Sequence, residues 1–396
     1  MVAVIVVATV AAYSNSLSGP FVFDDIGCIL ENPSIRSLGQ IGSVLSPASE
    51  GGRTVAGRPL VNLSLAINYA ISRTNVWSYH ALNLLIHIAA ALTLWAVVRR
   101  TLRMEVVLAS IRESADMLAT AIALLWAIHP LTTSAVTYVI QRAESLMALA
   151  YLFTLYCVIR GSESKKAGLW QACAVATCAA GMACKEVMAT APLIVLLYDR
   201  TFLAGSFQRA IRTRWRMYAG LFCTWLILAA LRGGRGASAG FNGPIGVWEY
   251  ALTQFRFIPL YLRLCIWPQP LVFDYGTPLV HSVQEVWLGL LLIAALLTAT
   301  ILILRIRPML GFLATCVFII LAPSSSIVPV STQTGAEHRM YLPLAAVVAI
   351  VVLGGYQVVT MVAGRSRKVA GAAIVAVTAI LLGSTTSARN NDYRSW

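Results

Sequence analysis

Charged side chains are scarce in this sequence. Asp, Glu, Lys and Arg make up 12% of its 396 residues, about half the share of an ordinary soluble domain. With 58% of residues hydrophobic and a mean hydropathy of +0.76, this excludes a water-soluble globule. A polytopic all-α membrane protein is the class that remains. Metal-site cysteine spacing is absent too: Cys28, Cys157, Cys173, Cys178, Cys184, Cys223, Cys265 and Cys316 are scattered, mostly inside apolar runs where cysteine is a small hydrophobe. No basic stretch is interleaved with aromatics, so the net charge of +14 does not point to nucleic acid. Residues 1–13 lack the basic flank of a signal peptide and read as a spanning helix. No internal repeat is visible.

What is there is a succession of apolar runs. Spans are expected at 1–17, 78–98, 115–129, 143–160, 167–183, 186–199, 217–232, 286–304, 309–322, 341–363 and 369–386, about eleven transmembrane helices. Placing the N-terminus in the cytoplasm puts 17 of the 30 basic and five of the 16 acidic residues on the inner side, a net +12 inside against +2 outside. Short cytoplasmic loops are enriched in Lys and Arg, so this is the favoured orientation. Residues 248–268 are apolar, but Arg256, Pro259 and Arg263 interrupt them. They read as an amphipathic helix at the outer interface, anchored by Trp248 and Trp267. The chain is thus expected to be one membrane domain, 1–396. It comprises a catalytic half (1–232), an extracytoplasmic interfacial segment (233–284) and the last four helices (285–396).

The long first outer loop, with short amphipathic helices expected in it, carries the most unusual feature, the adjacent Asp24 and Asp25 between Phe21-Val-Phe and Ile26. Two carboxylates beside apolar neighbours at a membrane surface cost free energy that a function can offset. Such a pair can serve as a general base, a divalent-metal ligand, or both. A bland turn is the competing reading. The other outer loops supply Arg58, His129, Arg142, Glu144, Lys185, Glu186, Asp274, Glu337, His338 and Arg339. One snorkelling cation explains little, and Arg256 and Arg263 are best read so. Arg142, Lys185 and Arg339 each stand near an acid at a helix end, on the same side as the aspartates. Clustered cations there suit a lipid phosphate. Asp274 reads as a turn residue, and His338 as either a ligand or a structural histidine.

The residues also match a family. Phe21-Val-Phe-Asp-Asp25, Ile29-Leu-Glu-Asn-Pro33, Gly57-Arg-Pro-Leu60, Tyr79-His-Ala-Leu-Asn-Leu-Leu-Ile-His87, His129-Pro130, Val136-Thr-Tyr-Val-Ile-Gln-Arg142, Lys185-Glu186 and Glu337-His-Arg-Met-Tyr-Leu-Pro343 follow in order. This succession resembles the membrane part of the transmembrane and tetratricopeptide-repeat O-mannosyltransferases. More distantly it is similar to the GT-C fold glycosyltransferases that use polyprenyl-phosphate sugars. The resemblance implies sugar transfer, of mannose or another hexose or pentose, from a polyprenyl phosphate to an acceptor hydroxyl, with inversion. The acceptor would be Ser or Thr of a protein.

By the resemblance Asp24 is the general base, with Asp25 positioning the acceptor or a divalent ion. Arg142, Lys185, Arg339 and His338 are the donor-phosphate residues, with Glu186, Glu337, Arg58 and His129 as further candidates. No covalent cofactor is implied. The site would face the periplasm from a bacterial inner membrane, in contact with the bilayer, the lipid-linked donor and a protein or glycan acceptor. The family's repeats are missing from this sequence, so a further C-terminal domain is an expectation. A ligase with a non-protein acceptor is the alternative. A transporter or flippase fits less well, because the charges gather at helix ends and no two-half symmetry is visible.

Overall fold

A computed structural model describes residues 1–46, 54–232, 245–276, 278–326, 329–330, 333–362 and 366–394. Thirteen helices of eight residues or more are present among them, and no β-strand. They are α1 (Val2–Tyr13), α2 (Pro59–Ser72), α3 (Trp77–Leu102), α4 (Ala115–Ala127), α5 (Arg142–Glu163), α6 (Ala167–Met182) and α7 (Ala191–Tyr198). After these come α8 (Phe207–Arg232), α9 (Val247–Ile266), α10 (Trp287–Ile306), α11 (Pro308–Leu321), α12 (Pro343–Val362) and α13 (Arg367–Asn391).

Each of the eleven apolar segments contains a helix, and the differences have local causes. Five helical stretches are by themselves long and apolar enough to cross a membrane: Trp77–Leu102, Val139–Glu163, Trp287–Ile306, Pro343–Val362 and Arg367–Asn391. A sixth follows if Ala115–Ala127 and Pro130–Val136, bent by 54°, make one broken span. Pro130 forces that break, since its ring cannot continue the preceding helix. Segment 186–199 is a 3₁₀ turn, Glu186–Thr190, followed by the eight residues of α7. At 1.5 Å per residue α7 rises about 12 Å, and a π-helical turn, Asp199–Leu203, continues it. Pro192 stands at its start, where proline is tolerated. The span expected to begin at 217 begins at Phe207 instead, with non-helical angles at Arg214 inside it. The boundary expected at 232–233 adjoins residues 233–244, which lie outside the described residues.

The closest helix pairs are α5 with α6, α3 with α4 and α5, α10 with α11, α11 with α12, and α1 with α13 and α4. At the centre, His87 Nδ1 meets the Tyr341 hydroxyl at 2.7 Å, and His87 Nε2 meets the Ala127 carbonyl at 2.7 Å. Trp126 donates to the Tyr341 carbonyl at 2.8 Å. Tyr13 packs edge-on against His87 with ring centroids 5.4 Å apart. Four sequence-distant segments are thereby joined through polar tips that have partners, as burial requires. The packing gives the bundle two ends. Asp24, Lys185 and Glu337 are at one. At the other, the Thr101 and Tyr198 hydroxyls meet at 2.7 Å, and Phe312 packs on Tyr198 and Phe202.

α9 is the helix expected at 248–268. Its buried side carries Tyr250, Phe257 and Tyr261, while Arg256, Arg263, Trp248 and Trp267 are exposed. All eight cysteines are free thiols.

Candidate functional site

Asp24 and Asp25 are adjacent and have opposite surroundings. Phe23 before them has φ 47°, the left-handed conformation that bulky residues rarely adopt. Such a residue costs on the order of 1–3 kcal/mol and persists only where neighbours hold it. Its ring stacks on Phe273 with centroids 4.4 Å apart, and Phe273 also touches Tyr138 and Tyr393. Beyond this turn Asp24 is exposed. Its Oδ2 accepts a hydrogen bond from Thr54 Oγ1 at 3.1 Å, and its amide donates to the Tyr138 hydroxyl at 2.9 Å.

Asp25 is completely buried. Its Oδ1 accepts from the Ile140 amide at 2.8 Å and its Oδ2 from the Val22 amide at 3.2 Å. Burial pushes the Asp25 carboxyl up to about 7, against the pull of those two amides and of Arg142. Asp25 is therefore a clamp joining the acidic turn to the segment before α5. Its oxygens are taken by amides, so the two aspartates do not open together on one cation. Among the described residues no group of three or more His, Cys, Asp or Glu side chains gathers in metal-ligand fashion.

The cations expected on this side converge from three loops. Arg58 precedes α2, beside Gly57 at φ 74°, a conformation that glycine adopts without a steric penalty. Its Nη1 donates to the Thr54 carbonyl at 3.1 Å, and its Nη2 faces Glu186 Oε2 at 3.5 Å. Thr54 thus connects Asp24 to Arg58, and Arg58 connects to Glu186. Lys185 forms a buried ion pair with Glu144 at the start of α5. His338 is half-buried. Burial first, and then the charges of Lys185, Arg339 and Arg58, hold its pKa well below the usual imidazole value. Arg339 is buried and donates to the Tyr250 hydroxyl at 3.1 Å and the Thr334 carbonyl at 3.0 Å. It pairs with no carboxylate among the described residues. Arg58, Lys185 and Arg339 are three cations against the two acids they pair with, Glu186 and Glu144, a surplus of positive charge that an anion can neutralise.

Three other candidates fall elsewhere. Arg142 is completely buried, donating to Asn68 Oδ1 at 2.5 Å, Ser64 Oγ at 3.3 Å and the Tyr79 carbonyl at 3.0 Å. It ties α2, α3 and α5 together. Glu337 accepts from the Val272 amide at 2.6 Å and the Tyr275 hydroxyl at 3.0 Å, and pairs with Arg389 at 3.3 Å. It fastens the 271–275 loop to the end of α13. His129 accepts the Leu131 amide on Nδ1 and faces the Cys265 carbonyl through Nε2 at 3.1 Å, bracing the break after α4 against α9. Sequence reasoning gave no role to Thr54, Tyr138 or Phe273. A neutral hydroxyl or ring in a loop carries no charge or spacing signal, and only Tyr138 lies within a quoted motif.

Helices long and apolar enough to cross a membrane, with an exposed carboxylate and three cations at one end of their bundle, define an integral membrane protein that carries a polar site. No family model matches the chain. It is 30% identical over 295 residues to the protein O-mannosyl-transferase Tmtc2 of Drosophila melanogaster, covering 69% of this chain and 30% of that protein. Human TMTC3 is 27% identical over 323 residues, 72% of this chain and 34% of that protein. The Caenorhabditis elegans O-mannosyl-transferase F38B6.6 is 23% identical over 360 residues, 86% of this chain and 49% of that protein. Its relatives are thus TMTC-family protein O-mannosyl-transferases, and the chain spans 30% to 49% of the length of these three.

Proposed function

We propose that this chain is a glycosyltransferase of the GT-C kind, with about eleven crossings. It moves a hexose or pentose, mannose by analogy with its relatives' names, from a polyprenyl phosphate to a Ser or Thr hydroxyl of a protein. The work is done at the extracytoplasmic face, which for a bacterial chain is the periplasmic face of the inner membrane. The observation that carries the reading is Asp24, an exposed carboxylate at the same end as Arg58, Lys185, His338 and Arg339. The acceptor oxygen attacks the anomeric carbon, its proton passes to Asp24, and the bond from that carbon to the phosphate oxygen breaks. The polyprenyl phosphate leaves as an anion that the cation cluster stabilises. A single displacement of this kind inverts the anomeric centre. Asp25 and Arg142 hold the backbone and helices on which Asp24 and its neighbours stand.

The test is transfer by the purified chain in nanodiscs, with a polyprenyl-phosphate mannose and a Ser/Thr-containing acceptor protein. Wild type is expected to form an inverted product and Asp24→Asn to form almost none. Equal transfer by both would remove Asp24 as the base, and a retained anomeric configuration would exclude the single displacement.

A further inference from the structure

At the end of the bundle away from Asp24, residues 200–216 contain five arginines (Arg200, Arg209, Arg212, Arg214 and Arg216) and no acid. The nearest acid in sequence, Asp199, is already engaged. It is fully buried and takes Arg214 Nη1 at 2.8 and 2.9 Å and the Tyr218 hydroxyl at 2.6 Å. That inward pull on Arg214 coincides with its non-helical angles, φ −127° and ψ 30°. The first two turns of α8 are therefore set off from the apolar remainder, and on their other side Gly205 turns the chain with φ 77°.

These two turns present two exposed stripes. Phe207 and Ile211, 48% and 46% exposed and four residues apart, share a face, and Trp215, 59% exposed, follows directly after the break at Arg214. Arg209, Arg212 and Arg216 are exposed on the adjoining face, while Ala210 and Met217 point into the core. Arg200 lies over the Phe207 ring at 5.7 Å and Arg216 over the Trp215 ring at 5.5 Å. Arg200, Arg209, Arg212 and Arg216 pair with no carboxylate among the described residues. Orientation in the membrane requires the charges alone. It does not require an apolar stripe of a Phe, an Ile and a Trp laid beside them.

We propose that the start of α8 is a docking surface for anionic phospholipid headgroups of the leaflet at that end. Phe207, Ile211 and Trp215 enter the acyl boundary, and Arg209, Arg212 and Arg216, joined by Arg200, bind headgroup phosphates. The charge complementarity is one-sided, and the pattern is that of an amphipathic helix start held by an internal ion pair at its downstream end.

Tryptophan quenching tests this on the whole chain in phosphatidylcholine nanodiscs doped with brominated phosphatidylglycerol or, separately, brominated phosphatidylcholine. The chain has ten tryptophans, so the Trp215 signal is taken as wild type minus Trp215→Phe. Brominated phosphatidylglycerol is expected to quench it several-fold more than the same amount of brominated phosphatidylcholine. The Arg209→Gln, Arg212→Gln, Arg216→Gln triple variant is expected to bring that preference close to one. If the triple variant does not fold, a salt titration of wild type decides, because molar salt shortens the screening length to about 3 Å and is expected to erase the preference. Equal quenching by the two lipids, or a preference that survives both the triple variant and molar salt, would overturn the proposal.

Discussion

The ammonium of Lys185 and the carboxylate of Glu144 are paired inside the protein, joining the turn after α6 to the first turn of α5. Removing one member of a buried pair leaves an uncompensated charge, which costs about 3–5 kcal/mol, whereas replacing both with apolar groups is often nearly neutral. Lys185→Ala alone is therefore expected to lower both thermal stability and sugar transfer. Lys185→Met with Glu144→Leu is expected to recover the melting temperature but not the transfer. Recovery of both would make the pair purely structural.

Asp24 can be changed without that confusion. It is exposed, and its side chain accepts only the Thr54 hydroxyl among the described residues. Asp24→Asn keeps the shape and removes the basic oxygen. A positioned base contributes about 10²–10⁴-fold, so transfer is expected to fall by that factor with the melting temperature within a degree or two. Thr54→Ala is expected to cost transfer about tenfold or less, the loss of one orienting hydrogen bond. Rates of product formation measured alongside melting curves separate these outcomes.

The membrane class and the helical segments were legible in the sequence, because apolar run length is a one-dimensional signal. Convergence of Asp24, Arg58, Lys185, Glu186, His338 and Arg339 was partly legible as well, since counting crossings sorts loops to sides before any contact is known. The division of labour between Asp24 and Asp25 was hidden. They are identical neighbours, distinguished only by the Ile140 and Val22 amides that draw one of them inward. Arg142 read as a surface cation for a similar reason, because its partners Ser64, Asn68 and Tyr79 are dozens of positions away. The start of α8 was missed because its arginines resemble a polar loop until their spacing is set on a helix.

Asp25 gives the fold a pH dependence with a definite sign. Its folded pKa, about 7, lies above the ordinary value of 3.8. Between these values the folded chain keeps a proton that the unfolded chain has released, so this contribution is full below about pH 4 and lost as pH rises through about 7. Asp25→Asn is expected to abolish that slope. It also turns an amide NH₂ toward the Val22 or Ile140 N–H, at a cost of about 1–3 kcal/mol for the opposed donors. Melting temperatures at pH 5 and pH 8 check both effects. A wild type that melts higher at pH 8, with a variant that follows it, would contradict the assignment.

Glu337 links the candidate site to the end of the chain's last helix. Its two oxygens take the Val272 amide, the Tyr275 hydroxyl and Arg389, while Arg389 also donates to the Leu271 carbonyl and to Asp392. Burial raises the Glu337 carboxyl above the ordinary range, opposed chiefly by the Arg389 charge. Arg389→Met removes that opposition, so the carboxyl is expected to rise further and the variant to be most destabilised above neutral pH. Glu337→Gln leaves an oxygen for the Val272 amide and leaves Arg389 its partner Asp392, so a milder loss is expected, about 1–2 kcal/mol. The double variant is expected to be less destabilised than the sum of the two, with an interaction energy of about 0.5–3 kcal/mol. His338 follows Glu337 directly, and Phe273, which stacks on Phe23 beside Asp24, lies in the fastened loop. Freeing that loop is therefore expected to lower transfer in all three variants, with protease cleavage near residues 271–275 appearing in parallel. A loss of transfer with no new cleavage and no change in melting would give Glu337 a direct part in the chemistry instead.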